Sequence, residues 1–81
     1  MSLGIYKVDW QPLHYPEPIG EADIDFLHGL QSDDGTYYIE SQLLGERIED
    51  CREMGIEVPE RLVAFLREEL KKEDGFSIAL F

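Results

Sequence analysis

The chain has 81 residues, a formal net charge of −11 and a single cysteine. That length allows one small domain, expected over residues 1–81. The single cysteine excludes an intrachain disulfide and favours a reducing compartment. The negative charge opposes binding to nucleic acids and to anionic membrane surfaces.

The first predicted element is a strand over residues 4–10. Tyr6, Val8 and Trp10 alternate with polar residues, and this period of two with aromatic and β-branched side chains is typical of a strand. Three prolines follow within residues 11–20. Because proline lacks the amide donor that strand pairing requires, we predict a loop there.

The pattern of residues 21–31 fits both a helix and a strand. A helix would place four apolar residues on one face: Ala22, Phe26, Leu27 and Leu30. A strand would also collect alternate apolar residues on one face. Acidic residues in the first turn and a half favour a helix, since carboxylates stabilise its N-terminal end. We therefore predict an additional short helix.

A turn and a short strand are predicted next. The run Ser32-Asp33-Asp34-Gly35 is a turn signal. Residues 36–40 have high β propensity and predict a short strand, although they also fit the first turn of the following helix. In a strand, one of Tyr37 and Tyr38 would be buried and the other more exposed.

Two consecutive helices are predicted over residues 42–54 and 59–73. Ser41 is a suitable N-cap and Gly55 a suitable stop for the first, and Pro59 suits the first position of the second. The link is short, so the helices should be antiparallel neighbours. Their buried faces are predicted from residues at helical spacing: Leu44, Ile48 and Cys51, then Leu62, Val63, Leu66 and Leu70.

A final strand is predicted over residues 76–81, with the strand at 4–10 as its natural partner. The predicted fold is α+β: terminal strands in a small sheet packed against an antiparallel helix pair. Two strands alone make a marginal sheet. Either residues 36–40 or a second chain should therefore complete it, and a homodimer is one alternative.

Few residues suggest catalysis or a bound cofactor. The sequence has no glycine-rich phosphate loop, no zinc-binding cysteine pairs and no His-Glu-x-x-His motif. The candidates for acid–base chemistry or weak metal binding are His14 and His28, with Asp25 three residues before His28. No nucleophile–base set accompanies them, so we predict neither a cofactor nor an enzyme.

The acidic residues are unevenly distributed. From Val8 to Glu46 there are nine Asp and Glu and no Lys or Arg, whereas residues 47–81 have a balance of −3. Aromatic anchors beside acidic residues are typical of a surface that binds a basic protein. The predicted partner-binding residues are Asp23, Asp25, Asp33, Asp34, Tyr37, Tyr38 and Tyr15.

We therefore expect a small acidic protein-interaction module, such as an adaptor, inhibitor or regulatory subunit, that binds a basic surface. The alternative is a small structural or homodimeric protein whose acidity serves solubility or high-salt conditions. A third is a metal-binding or acid–base enzyme using His28. The sequence shows no membrane-spanning run and no secretion signal, so we expect a cytoplasmic protein.

Overall fold

The structure, a computed structural model, describes residues 4–7, 12–13 and 15–80. The elements in chain order are β1 (Ile5–Lys7), β2 (Pro12–Leu13), α1 (Glu21–His28), β3 (Tyr37–Ile39), α2 (Ser41–Met54), α3 (Glu60–Lys72) and β4 (Phe76–Leu80). This is a small α+β domain and confirms the predicted fold class. Three predictions fall outside the described residues: strand residues 8–10, including Trp10, then His14, and Phe81 at the end of the predicted final strand.

The strands form one antiparallel sheet in the order β2-β1-β4-β3. The terminal strands are its central pair, with Ile5 opposite Leu80. Strand β3 joins the other side of β4, with Tyr37 opposite Ile78. The predicted pairing of the two terminal strands is therefore confirmed, and Tyr37–Ile39, within the predicted strand at 36–40, extends the sheet.

The predicted loop over residues 11–20 is wrong at Pro12–Leu13. These two residues form β2 and pair with β1, with Ile5 opposite Leu13. The strand lies at the edge of the sheet, where only one side of the backbone must supply ladder hydrogen bonds. A proline is tolerated at such an edge because its missing amide donor can face away from the ladder.

The outer edge of β3 is covered by the chain that leaves α1. The amide of Tyr38 donates a hydrogen bond to the carbonyl of Leu30 at 3.1 Å. Gln31 and Tyr37 form an antiparallel bridge beside it. This side of the sheet therefore has no open edge among the described residues. The homodimer alternative was based on an open edge that a second chain would cover.

One hydrophobic core fills the space between the sheet and the three helices. Its residues come from every helix and from three strands: Ile5, Phe26, Leu27, Leu30, Tyr37, Ile39, Leu44, Ile48, Cys51, Leu62, Val63, Leu66, Phe76 and Ile78. Cys51 is fully buried, which confirms its prediction as a core residue. Leu70 is partly buried against the same core.

The helices differ from the predicted ones in two boundaries and in the exposure of one residue. Ser41 is the first residue of α2 rather than its N-cap, and the N-cap is Glu40, whose side chain makes no capping hydrogen bond. Pro59 is the N-cap of α3 rather than its first residue. Ala22, which was predicted to share the apolar face of α1, is instead exposed. It lies on the first turn of α1, before the buried Phe26 and Leu27.

None of the helices in the described part of the chain has the length and apolar character needed to cross a bilayer.

Candidate functional site

The exposed side of α2 carries a row of carboxylates. Glu46, Glu49, Asp50 and Glu53 are all exposed, and their spacing places them on one side of a helix. The opposite side of α2 is buried in the core, so these carboxylates face outward. None of them forms an ion pair with a described residue. We call these four residues the acidic face.

Two large apolar side chains flank the acidic face. Leu43 is 37 % exposed and Met54 is 59 % exposed. They are eleven residues apart on one helix, or about 17 Å along its axis. Both lie on the same side of α2 as Asp50, because positions 43, 50 and 54 recur at helical spacing. The face thus combines negative charge with two accessible apolar groups.

Arg47, one of the two cations on α2, is occupied elsewhere. Its Nε donates a hydrogen bond to the carbonyl of Phe26 at 3.0 Å, and its Nη2 donates one to the carbonyl of Asp25 at 2.9 Å. Its guanidinium also lies 5.8 Å from the centre of the Phe26 ring. These bonds hold the backbone of Asp25, a predicted partner-binding residue with an exposed side chain, against the Arg47 side chain of α2.

Lys7, the only cation among the first 46 residues, is also held within the fold. Its Nζ lies 3.0 Å from the Glu73 carboxylate and 3.7 Å from the Glu69 carboxylate. It also lies 4.8 Å from the centre of the Phe76 ring. This cluster joins β1 to the C-terminal end of α3 and leaves Lys7 unable to neutralise α2.

Tyr15 and Asp23 meet at a second place, a cavity of about 720 Å³ beside the start of α1. The Tyr15 ring packs edge-on against Phe65 at 5.1 Å. Burial, followed by the negative charges of Asp23 and Glu17, raises the pKa of the Tyr15 hydroxyl. The Asp23 carboxylate accepts a hydrogen bond from the amide of Gly20 at 2.9 Å, so it also stabilises the helix start.

Asp33 and Asp34 lie in the turn before β3, as predicted. The Asp34 carboxylate accepts hydrogen bonds from the Thr36 hydroxyl at 2.6 Å and from the Thr36 amide at 3.0 Å. These bonds, the one from the hydroxyl first, lower the pKa of Asp34. Gly35 adopts a φ of 87°, which a side chain would strain. Asp34 thus has a structural role, whereas Asp33 is exposed.

The two adjacent tyrosines point to opposite faces of the sheet. Tyr37 is 7 % exposed and belongs to the core, so it offers little area to a partner. Tyr38 is 37 % exposed on the face turned away from the helices. This confirms the predicted difference in exposure between the two tyrosines. Tyr38 and the acidic face lie on opposite sides of the domain.

His28 is exposed, and its ring stacks on Tyr37 with 6.2 Å between ring centres. No ion pair joins it to Asp25 in the described part of the chain. Among the described residues, no group of three or more His, Cys, Asp or Glu side chains is placed to hold a metal ion. The geometry around His28 therefore gives no support to acid–base or metal chemistry.

The acidic face was missed by sequence analysis, although its signal was present. The net charge of residues 47–81 is only −3, because Lys and Arg there offset most of the acids. That count does not show that four of these cations are already bound within the fold: Arg47, Arg61, Lys71 and Lys72. Acids at positions 46, 49, 50 and 53 have the spacing of one helical side. Reading charge by helical face would have identified them.

Comparisons with family models, with curated proteins and with solved structures find no match for this chain.

Proposed function

We propose that the protein is a small interaction module that binds a basic surface of another protein through the acidic face of α2. The observation that carries this proposal is the juxtaposition of four carboxylates, unpaired among the described residues, with exposed Leu43 and Met54. The exposed Asp25 of α1 extends the negative charge beside α2.

The negative charge would act mainly on the rate at which the two proteins meet and on the choice of partner. A positively charged partner is attracted to a chain of net charge −11 over distances up to about one Debye length, roughly 8 Å at physiological salt. Exposed ion pairs each contribute only about 0.2–1 kcal/mol. The acidic face therefore accounts for steering and orientation, but not for most of the affinity.

Affinity would come from the two apolar side chains. Truncating a well-packed anchor residue at an interface commonly costs more than about 1 kcal/mol. Met54 is unbranched and adaptable, as in many binding surfaces that accept irregular shapes. The partner segment that fits these features has two apolar side chains about 17 Å apart, with Lys or Arg between them.

Affinity capture with three forms of the protein tests the proposal. The bait is the wild type, the pair variant Asp50→Asn with Glu53→Gln, or the control variant Asp33→Asn with Asp74→Asn. Both variants remove two negative charges from exposed positions, but only the first changes the acidic face. Each bait is incubated with a nuclease-treated extract, washed at low and high salt, and analysed by quantitative mass spectrometry.

We expect the wild type and the control variant to retain the same basic protein in stoichiometric amount at low salt. The Asp50/Glu53 variant should retain clearly less of it, and high salt should release it from all three. A partner retained equally by both variants would contradict the assignment to α2, and a partner insensitive to salt would contradict the role of charge.

A further inference from the structure

A groove runs between α2 and α3, on the side of α2 next to the acidic face. Its central part is a cavity of about 580 Å³ whose floor includes Ile48 and Val63. At one end it continues into the cavity beside Tyr15, and at the other it continues past Leu44 and Leu70. The groove therefore follows the length of the helix pair.

Small residues open the middle of this groove. Gly45 lies on α2 and Ala64 lies on α3, and both line the cavity. A Cβ built on Gly45 would meet no atom within 4 Å. Glycine inside a helix costs about 0.5–1 kcal/mol relative to alanine, and no described residue fills the space that it leaves.

Charges of both signs line the same groove, unlike the acidic face, whose four charged side chains are all carboxylates. Three acids, Glu49, Glu60 and Glu68, face three cations, Arg52, Arg67 and Lys71. Of these, the side chains of Arg52 and Arg67 make no hydrogen bond or ion pair with any described residue, although the chain has 18 Asp and Glu.

Two of these residues are arranged symmetrically about a point in the N-terminal half of α3. Glu60 and Arg67 are seven residues apart, so they lie on one side of the helix. The midpoint between them falls at Val63 and Ala64, on the floor of the groove. If two copies of α3 packed antiparallel across this midpoint, position 60 of each would face position 67 of the other.

We propose that a second copy of this chain docks in the groove between α2 and α3. The two copies of α3 run antiparallel about a two-fold axis at Val63 and Ala64. Glu60 of each copy pairs with Arg67 of the other, and the open space above Gly45 receives the helix of the second copy. A two-fold contact requires a self-complementary surface, which this balance of charges provides.

A second copy fits better than an unrelated partner because of charge. Two chains of net charge −11 repel each other at most orientations. The groove, with three acids and three cations, allows them to approach without local repulsion. A strongly basic partner would instead favour the acidic face, where no described cation pairs with the carboxylates.

Exchange of the two charges tests the proposal. Three samples are compared by sedimentation equilibrium at physiological salt, from micromolar to near-millimolar concentration: the wild type, Glu60→Arg and Arg67→Glu. A fourth sample is an equimolar mixture of the two variants. Both positions are exposed, so circular dichroism should show an unchanged fold in every sample.

We expect the wild type to form a dimer whose dissociation constant rises about tenfold or more in each variant, since each places like charges opposite each other twice. In the mixture, both contacts are again between opposite charges, so a heterodimer should form. A wild type that stays monomeric throughout, variants that dimerise as well as the wild type, or a mixture without heterodimer would overturn the proposal. These substitutions leave Asp50 and Glu53 intact, so the partner-capture experiment can fail or succeed independently.

Discussion

The side chain of Arg47 lies directly over Gly29, at the end of α1. A Cβ at position 29 would overlap the Arg47 side chain. The backbone of Gly29 has a φ of −70°, which any residue adopts, so glycine is required here for space rather than for conformation. The close approach lets Arg47 bind the carbonyls of Phe26 and Asp25, which terminates α1 and fixes it against α2.

Replacing Gly29 with alanine should therefore destabilise the fold. The new methyl group displaces the Arg47 side chain and breaks its two hydrogen bonds, and bonds from charged donors contribute about 1.5–3 kcal/mol each. Partial relaxation should reduce the net loss in the free energy of unfolding to about 1–2 kcal/mol. Urea denaturation followed by circular dichroism measures it.

Gly45→Ala is the matched control for that change. It adds the same methyl group to a helix at a position where the methyl meets no atom. We expect the free energy of unfolding to rise by about 0.5–1 kcal/mol. If Gly29→Ala is as stabilising as Gly45→Ala, the contact with Arg47 does not restrict position 29.

Lys7→Met should also destabilise the protein. Methionine keeps the apolar stem beside Phe76 but removes the charge that holds the Glu69 and Glu73 carboxylates. The Lys7 and Glu69 side chains are each only 12 % exposed, so the interaction is poorly screened by water. We expect a loss of about 1–3 kcal/mol in the free energy of unfolding, measured by urea denaturation.

Lys71→Met provides the exposed counterpart. Lys71 pairs with Glu68 at 3.0 Å, but their side chains are 72 % and 67 % exposed. Removing such a pair should change the free energy of unfolding by less than about 0.5 kcal/mol. If the two substitutions change the free energy of unfolding equally, the ion pairs of Lys7 stabilise the protein no more than an exposed surface pair does.

The turn before β3 should respond to acid. Hydrogen bonds from Thr36 lower the pKa of Asp34 in the folded protein. The ionised Asp34 carboxylate therefore contributes fully to stability above the pKa of an unfolded Asp, about 3.9. This contribution is lost as the pH falls through the lower pKa that Asp34 has in the folded protein. Thr36→Val removes the hydroxyl donor, so the pKa of Asp34 should rise toward its ordinary value in an NMR titration of the carboxyl carbon. Thr36→Ser keeps the hydroxyl and should leave the pKa low, and identical titrations of both variants would contradict this explanation.

Much of the fold was predictable because its signals are local. The apolar spacing of Leu62, Val63 and Leu66 predicts the buried side of α3, and all three are buried. Gly55 ends α2 as predicted, with a φ of 71° and an amide that donates back to Arg52. These features depend on residues within a few positions of each other, which a sequence displays directly.

Other features depend on contacts between distant residues, so they could not be predicted. The pairing of Pro12–Leu13 with β1 depends on where the strand edge lies. The ion pairs of Lys7 with Glu69 and Glu73 join opposite ends of the chain, so they too depend on the fold. The candidate site changed for the same reason, since only the folded chain shows which cations are already occupied.

The most direct test of the proposed function is the salt dependence of binding to the captured basic partner. Isothermal titration calorimetry at several salt concentrations gives the dissociation constant for the wild type and for Asp50→Asn with Glu53→Gln. We predict weaker binding at higher salt for the wild type and a shallower dependence for the variant, because two of its carboxylates no longer attract the partner. Equal slopes for the two proteins would contradict binding through the acidic face of α2.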